Sequence, residues 1–117
     1  MSKLRFGIIG SGYMGRTHAE AIKRTHNAEL IAIFGGRRAV DLAQDYSVAH
    51  EESLGGLLGR SDIDAVIITT PHSRHYEEAL LALEQNKHVL VEKPMATTVA
   101  HCHEMNSLAH EKGLSVG

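Results

Sequence analysis

The chain has 117 residues, a formal net charge of −2 and one cysteine. This charge balance argues against a general nucleic-acid or membrane-surface binder, and no apolar run reaches the roughly 18 residues of a membrane-spanning helix. Because one cysteine cannot form an intrachain disulfide, a reducing compartment is the default, and we expect a cytoplasmic protein.

The first predicted element is a buried strand at Leu4–Ile9. It leads directly into a glycine-rich hexapeptide made of Gly10, Ser11, Gly12, Tyr13, Met14 and Gly15. Between a strand and a helix, this G-x-G-x-x-G spacing is typical of a dinucleotide-binding loop. Gly10 permits the tight turn, Gly12 lets a pyrophosphate approach the backbone, and Gly15 lets the helix lie close to the sheet. We therefore predict that the whole hexapeptide contacts a dinucleotide through amides at the helix start. A glycine-rich turn without a ligand is the alternative.

Strand and helix patterns alternate along the rest of the chain. In order, they predict a helix at Met14–Arg24, a strand at Leu30–Phe34, a helix at Arg38–Asp45, a short strand at Val48–His50, a short helix capped by Ser53, a strand at Ala65–Ile68, a helix at Tyr76–Gln85, a strand at Lys87–Val91, a helix capped by Thr97 or Thr98 and stopped by Gly113, and a last strand at Leu114–Val116. This alternation predicts one α/β domain over residues 1–117. We expect a Rossmann doubly wound parallel sheet in three αβα layers, with strand order 3-2-1-4-5-6.

The end of the second predicted strand bears on the choice of coenzyme. NAD-preferring domains carry an Asp or Glu there, about 20 residues beyond the glycines, which binds the adenosine ribose. This chain instead has Gly35, Gly36, Arg37 and Arg38. With no carboxylate to repel a 2′-phosphate, Arg37 or Arg38 could bind that phosphate bidentately. The sequence thus favours NADP within an NAD(P) site, with Gly36 beside it. The alternative is that both arginines are solvated residues at a helix start.

Polar residues follow two further strands at the sheet edge where the nicotinamide half of a coenzyme would lie. The first set is Thr70, Pro71, His72 and His75, and the second is Glu92, Lys93 and Pro94. A lysine that emerges from a buried strand is partly desolvated, which suits it to proton transfer or to polarising a carbonyl. Lys93 is therefore the candidate catalytic residue, and Glu92 could orient it.

In their order and spacing, these motifs resemble the N-terminal domain of the Gfo/Idh/MocA oxidoreductases, which include glucose–fructose oxidoreductase and inositol dehydrogenase. The resemblance covers essentially the whole chain. It implies NAD(P)-dependent hydride transfer at a hydroxyl or carbonyl carbon of a sugar, cyclitol or related polyol. It also implies that Lys93 lies near the nicotinamide and substrate, with Thr70, His72 and His75 close to the coenzyme. The chain departs from the family pattern at His72, where Asn is frequent, and at Gly35 and Gly36, where an acidic residue is frequent.

Members of that family continue into a second α/β domain, which supplies substrate-binding residues and the oligomer interface. By this resemblance, we expect the chain to be the coenzyme-binding part of a longer, homo-oligomeric oxidoreductase. Alone, it would bind nucleotide without turning over substrate. The alternatives are a stand-alone nucleotide-sensing module that acts on a partner and a Rossmann relative that binds no nucleotide.

Nine histidines raise the question of a metal. Adjacent helical side chains point about 100° apart, so His101, Cys102 and His103 cannot converge on one ion, and we predict no metal site. Within the glycine loop, Met14 is first interpreted as a core residue, with coenzyme contact secondary. Tyr13 either flanks the pyrophosphate loop or faces the surface.

Overall fold

The computed structural model describes residues 3–91 and 99–117 and, at His72, the backbone. Strands and helices alternate through these residues. They are β1 (Leu4–Ile9), α1 (Tyr13–Lys23), β2 (Ala28–Phe34), α2 (Ala39–Asp45), β3 (Ala49–His50), α3 (Leu54–Leu58), β4 (Ala65–Ile68), a 3₁₀ turn (His72–Arg74), α4 (His75–Glu84), β5 (His88–Val91) and α5 (Val99–Lys112).

The strands form one parallel sheet in the order β3-β2-β1-β4-β5. Ile9 lies level with both Phe34 and Ile68, and Ile68 lies level with Val91. The four longer strands therefore end together, and the loops that follow them share one edge of the sheet. The order reverses between β1 and β4, which is where open α/β sheets bind their ligands.

Helices cover both faces of the sheet, because successive residues of a strand point to opposite faces. Ile8, on one face, packs in a cluster with Ala19 of α1 and Leu42 of α2. Ile9, on the other face, belongs to a cluster that includes Leu83 of α4 and Met105 of α5. The result is the predicted three-layer Rossmann fold. None of the helices in the described ranges has the length and apolar character required to cross a bilayer.

The predicted sixth strand is reduced to a single bridge. Val116 pairs in parallel with Val89, and the Val91 amide donates to the Gly117 carbonyl at 2.7 Å. This segment lies beside β5, the position expected from the order 3-2-1-4-5-6. Two predicted helix signals are confirmed: Ser53 Oγ accepts the Gly56 amide at 2.9 Å, and Gly113 follows α5 with φ of +69°. Thr97 and Thr98 lie outside the described residues.

An ion pair and a buried lysine lie at the opposite edge of the sheet. The Arg5 guanidinium contacts both Asp64 carboxylate oxygens at 3.0 and 3.1 Å, and the Arg5 amide donates to Asp64 at 2.9 Å. Lys87 is buried, with Nζ donating to the carbonyls of Arg60 and Ile63 at 2.6 and 2.7 Å. These groups join β1, β4 and β5 where the strands begin, at the opposite end of the sheet from the glycine loop.

Candidate functional site

The turn after β1 is held closely against neighbouring backbone. Gly10 has φ of +115°, and its amide donates to the Phe34 carbonyl at 2.7 Å. A Cβ at Gly10 would collide with the Thr69 side chain, and a Cβ at Gly15 would lie 2.6 Å from the Gly10 carbonyl oxygen. Both positions therefore require glycine, because the loop, the first turn of α1 and the end of β4 leave no room for a side chain.

Gly12 differs, because the space beside it is open. A Cβ there would meet nothing within 4 Å among the described residues. Gly12 is the N-cap of α1 and provides no side-chain cap, and the first turn carries no acidic residue. The first helical bond runs from the Arg16 amide to the Gly12 carbonyl, at 3.1 Å. The amides before Arg16 consequently have no intrahelical acceptor and face outward with the helix dipole behind them. This arrangement fits the diphosphate of a dinucleotide.

Ser11 joins the glycine loop to the loop after β2. Its side chain is 5% exposed, and its Oγ accepts the Arg38 amide at 3.2 Å. Gly36, with φ of +89°, packs so closely that a Cβ there would collide with Ser11 Oγ. The Ser11 hydroxyl is therefore already hydrogen-bonded inside the protein, so a coenzyme would contact Ser11 through its backbone.

The remaining predicted residues of these two loops are exposed. Arg37 and Arg38 both face solvent, and neither guanidinium forms an ion pair within residues 3–91 and 99–117. Tyr13 is 83% exposed. The core interpretation of Met14 is wrong, since that side chain is 36% exposed. The cause is its helical phase, because Gly15, and not Met14, turns toward the sheet in the first turn of α1.

The loop after β4 is held by two side chains from α4. The Thr70 hydroxyl donates to Glu78 Oε1, and His75 Nε2 lies 2.6 Å from the Thr70 carbonyl oxygen, to which it donates. His75 is 1% exposed, so its effect on the cleft passes through the Thr70 backbone. Pro71 is exposed, and the His72 backbone opens the 3₁₀ turn.

A cavity of about 340 Å³ lies between the loops after β2, β3 and β4. Its lining residues are Phe34, Gly35, Gly36, His50, Glu51, Glu52, Thr70, Arg74 and Glu78. Glu78 is buried, and burial raises the pKa of its carboxyl, an effect that the Thr70 hydrogen bond partly opposes. Glu78 is not among the site residues that the sequence motifs predict. The available signal was an acid at the core-facing position one turn before Ala82.

Glu92 and Lys93 lie outside the described residues, so the catalytic role of Lys93 stays a prediction. The last described residue on that side is Val91, which is in register with Ile68 at the sheet edge where the glycine loop emerges. In the described part of the chain, no cluster of three His, Cys, Asp or Glu side chains could hold a metal ion.

A model of the oxidoreductase family with an NAD-binding Rossmann fold, Gfo/Idh/MocA, matches residues 4–117. The chain belongs to this family. It is an NAD-binding oxidoreductase domain of the Gfo/Idh/MocA type, as its motifs predicted.

Solved structures of relatives share the fold and carry either nicotinamide coenzyme. The chain superposes with a TM-score of 0.90 and 30% identity on biliverdin reductase from Synechocystis sp. PCC 6803, in complex with biliverdin and NADP⁺. The superposition covers 97% of this chain and 36% of that one. On GenD2 from gentamicin A biosynthesis, in complex with NAD, the TM-score is 0.95 with 26% identity, covering 100% and 34% of the two chains.

A curated relative is 2,7-anhydro-N-acetylneuraminate hydratase from Mediterraneibacter gnavus. It is 30% identical over 114 residues, which is 97% of this chain and 30% of the relative. The chain thus spans about a third of the length of the proteins that it matches.

Proposed function

We propose that residues 1–117 are the coenzyme-binding domain of a longer NAD(P)-dependent oxidoreductase. Its substrate would be a sugar, cyclitol or related polyol, reacting at a hydroxyl or carbonyl carbon. The observation that carries the proposal is the uncapped start of α1 beside Gly12, open to solvent at the point where the strand order reverses. The relative that acts on a sialic-acid derivative supports a sugar-like substrate.

In this proposal the bound coenzyme supplies or accepts the hydride, and the chain positions it. The free amides from Ser11 to Gly15 would bind the diphosphate, since the Gly10 amide is used by the Phe34 carbonyl, and the loop around Gly36 would hold the adenosine ribose. Thr70, Pro71 and His72 would form the loop beside the coenzyme, and the buried His75 of α4 would support that loop through the Thr70 carbonyl. Lys93 exchanges a proton with the substrate oxygen, and Glu92 orients its ammonium group.

A second domain would complete the cleft, because hydride transfer needs the substrate carbon held close to the nicotinamide with aligned orbitals. We therefore propose that the isolated chain binds coenzyme without turnover and that the longer protein forms a homo-oligomer. This proposal rests on the family and on the share of its relatives that the chain covers.

We further propose that the domain prefers NADP. Arg37 and Arg38 stand exposed beside Gly36, and in the described structure no carboxylate neutralises either guanidinium. A guanidinium binds a phosphate through two parallel hydrogen bonds. The 2′-phosphate of NADP can form this pair of bonds, and the 2′-hydroxyl of NAD cannot.

The test is calorimetric titration of this chain with NADP⁺ and NAD⁺. Replacing Arg37 and Arg38 together by Ala should weaken NADP⁺ about tenfold or more, the loss of roughly one charged contact, and leave NAD⁺ within about twofold. Arg24→Ala, at the other end of α1 and largely exposed, is the matched control and should change neither. Equal affinity of the unaltered chain for both coenzymes would refute the NADP preference, and no binding of either would refute the proposed function.

A further inference from the structure

Glu78 is a buried acid under the proposed coenzyme cleft, and the chemistry proposed above gives it no role. The residue is 8% exposed on α4, and it lies on the side of the helix that also carries Ala82. A hydrocarbon side chain would occupy this position without the desolvation cost of a carboxyl group. What the carboxyl adds is its hydrogen bond from the Thr70 hydroxyl.

Thr70 is thereby held on two sides by one helix. The Glu78 carboxylate accepts a hydrogen bond from the Thr70 hydroxyl, and His75, one turn earlier, donates to the Thr70 carbonyl oxygen at 2.6 Å. Both α4 side chains are buried, so water competes little for either bond. Thr70 therefore has a fixed position where β4 leaves the sheet.

This strand end also contacts the glycine loop directly. Thr69 Oγ1 donates to the Ile9 carbonyl at 3.1 Å, and the Thr69 amide donates to the same oxygen at 2.8 Å. Thr69 is also the residue that a Cβ at Gly10 would strike. A shift of Thr70 would therefore move the neighbour that shapes the glycine turn.

Thr70 and Glu78 face the same cavity as Gly35 and Gly36 of the opposite loop. The charged groups around the Glu78 carboxyl are of both signs. Arg74 and His75 favour its ionised form and Glu77 opposes it, while His50, Glu51 and Glu52 line the same cavity. An ionised Glu78 would repel the phosphates of a dinucleotide. The carboxyl thus has no direct attraction for this ligand, and its geometry instead favours an indirect role.

We propose that Glu78 is a positioning residue for coenzyme binding: it holds the Thr70 hydroxyl and so fixes the β4 end against the glycine loop. This inference rests on the proposed function, because it concerns the same nicotinamide dinucleotide. It predicts that coenzyme affinity depends on an acceptor oxygen at position 78 and does not depend on a negative charge there.

The experiment compares Glu78→Ala, Glu78→Gln and Thr70→Val in this chain by titration with NADP⁺ and NAD⁺. Glu78→Ala should weaken both coenzymes about fivefold to thirtyfold, which corresponds to one lost buried hydrogen bond. Glu78→Gln keeps an acceptor oxygen and should stay within about twofold of the unaltered chain. Glu77→Gln, exposed on the same turn, is the control for loss of charge alone and should bind normally.

Thr70→Val removes the other partner of the same bond. If Glu78 acts through Thr70, adding Thr70→Val to Glu78→Ala should cost little further affinity, because the double-mutant cycle then contains one shared interaction. Circular dichroism and thermal melting check that each variant is folded. If Glu78→Ala does not fold, Glu78→Met, which is close in volume and lacks the oxygens, takes its place.

The inference is overturned if a folded Glu78→Ala or Glu78→Met variant binds both coenzymes normally, or if the losses at positions 70 and 78 simply add. It is also overturned if Glu78→Gln binds as weakly as Glu78→Ala. These outcomes differ from failure of the proposed function, in which the unaltered chain itself binds neither coenzyme.

Discussion

At the scale of residues, the three glycines of the Gly10–Gly15 loop are needed for different physical reasons. Gly10 and Gly15 leave room for protein atoms, since a Cβ at either position would collide with the end of β4 or with loop backbone. Gly12 leaves open space that a bound coenzyme can occupy, because no described residue lies within 4 Å of its Cβ position. The sequence pattern is the same for all three, and only packing distinguishes them.

The Gly12→Ala variant should separate coenzyme binding from folding. The φ of Gly12 is −78°, which alanine adopts without strain, so the loss of stability should be limited to about 1 kcal/mol, the cost of alanine at a helix N-cap. The added methyl group occupies the space proposed for the diphosphate, so affinity for NADP⁺ and NAD⁺ should fall at least about tenfold. Thermal melting and calorimetry measure the two effects.

Gly15→Ala is the comparison for this prediction. Its Cβ would lie 2.6 Å from the Gly10 carbonyl oxygen, and this overpacking should destabilise the fold by about 1–3 kcal/mol. Unchanged coenzyme affinity in a stable Gly12→Ala protein would contradict the assignment of this loop to the diphosphate.

At the scale of elements, helix ends are set by local chemistry that the sequence displays. Ser53 caps α3 through its Oγ, and Gly113 follows α5 in the left-handed region with φ of +69°. No other described residue lies within 4 Å of a Cβ at Gly113. Its requirement for glycine is therefore purely conformational.

Gly113→Ala and Gly55→Ala should change stability in opposite directions. A left-handed alanine at position 113 should cost about 1–2 kcal/mol. Gly55 lies within α3, and its Cβ would meet nothing within 4 Å, so alanine there should stabilise the fold by up to about 1 kcal/mol. Urea unfolding of the two variants measures both changes, and shifts of the same sign would contradict this explanation.

At the scale of the whole molecule, the two edges of the sheet carry different chemistry. The loops of the proposed cleft lie where the strands end, and the Arg5–Asp64 pair lies where they begin. Hydrogen bonds from Arg5 hold the pKa of Asp64 below its ordinary value. For an acid shifted in this direction, the stabilisation is complete above the unfolded pKa and is lost as the pH falls through the folded pKa.

Asp64→Asn should therefore destabilise the domain at neutral pH and less so in acid. Both side chains of the pair are about a third exposed, so solvent screening limits the loss at pH 7 to about 1 kcal/mol. The difference from the unaltered chain should shrink below about pH 4, where Asp64 of the unfolded chain becomes protonated. Asp45→Asn, in the more exposed pair with Arg16, is the control and should cost about 0.5 kcal/mol or less.

These measurements are urea unfolding curves collected from about pH 2.5 to 7, a range that spans the ordinary aspartate pKa. A constant difference between the Asp64→Asn protein and the unaltered chain over this range would show that the carboxylate charge does not contribute. Glu78 should act in the opposite sense, because burial raises its pKa and its ionisation at higher pH opposes folding.

The sequence by itself determined the alternation of elements, the parallel sheet and the location of the glycine loop. The local signals are apolar runs, such as Ala65–Ile68, and the residues that start or end helices, such as Ser53 and Gly113. The alternation of strands and helices then leaves few permitted topologies. The prediction placed β1 and β4 at the bounds that the structure has.

Only the tertiary structure decided what each side chain of the candidate site contacts. It turned the Ser11 hydroxyl toward the Arg38 amide, exposed Met14, and brought Glu78 to Thr70. Each of these contacts depends on the helical phase and on the distance between loops that are far apart in sequence. Local propensity carries no information about that distance, because it is set when the two faces of the sheet pack against their helices.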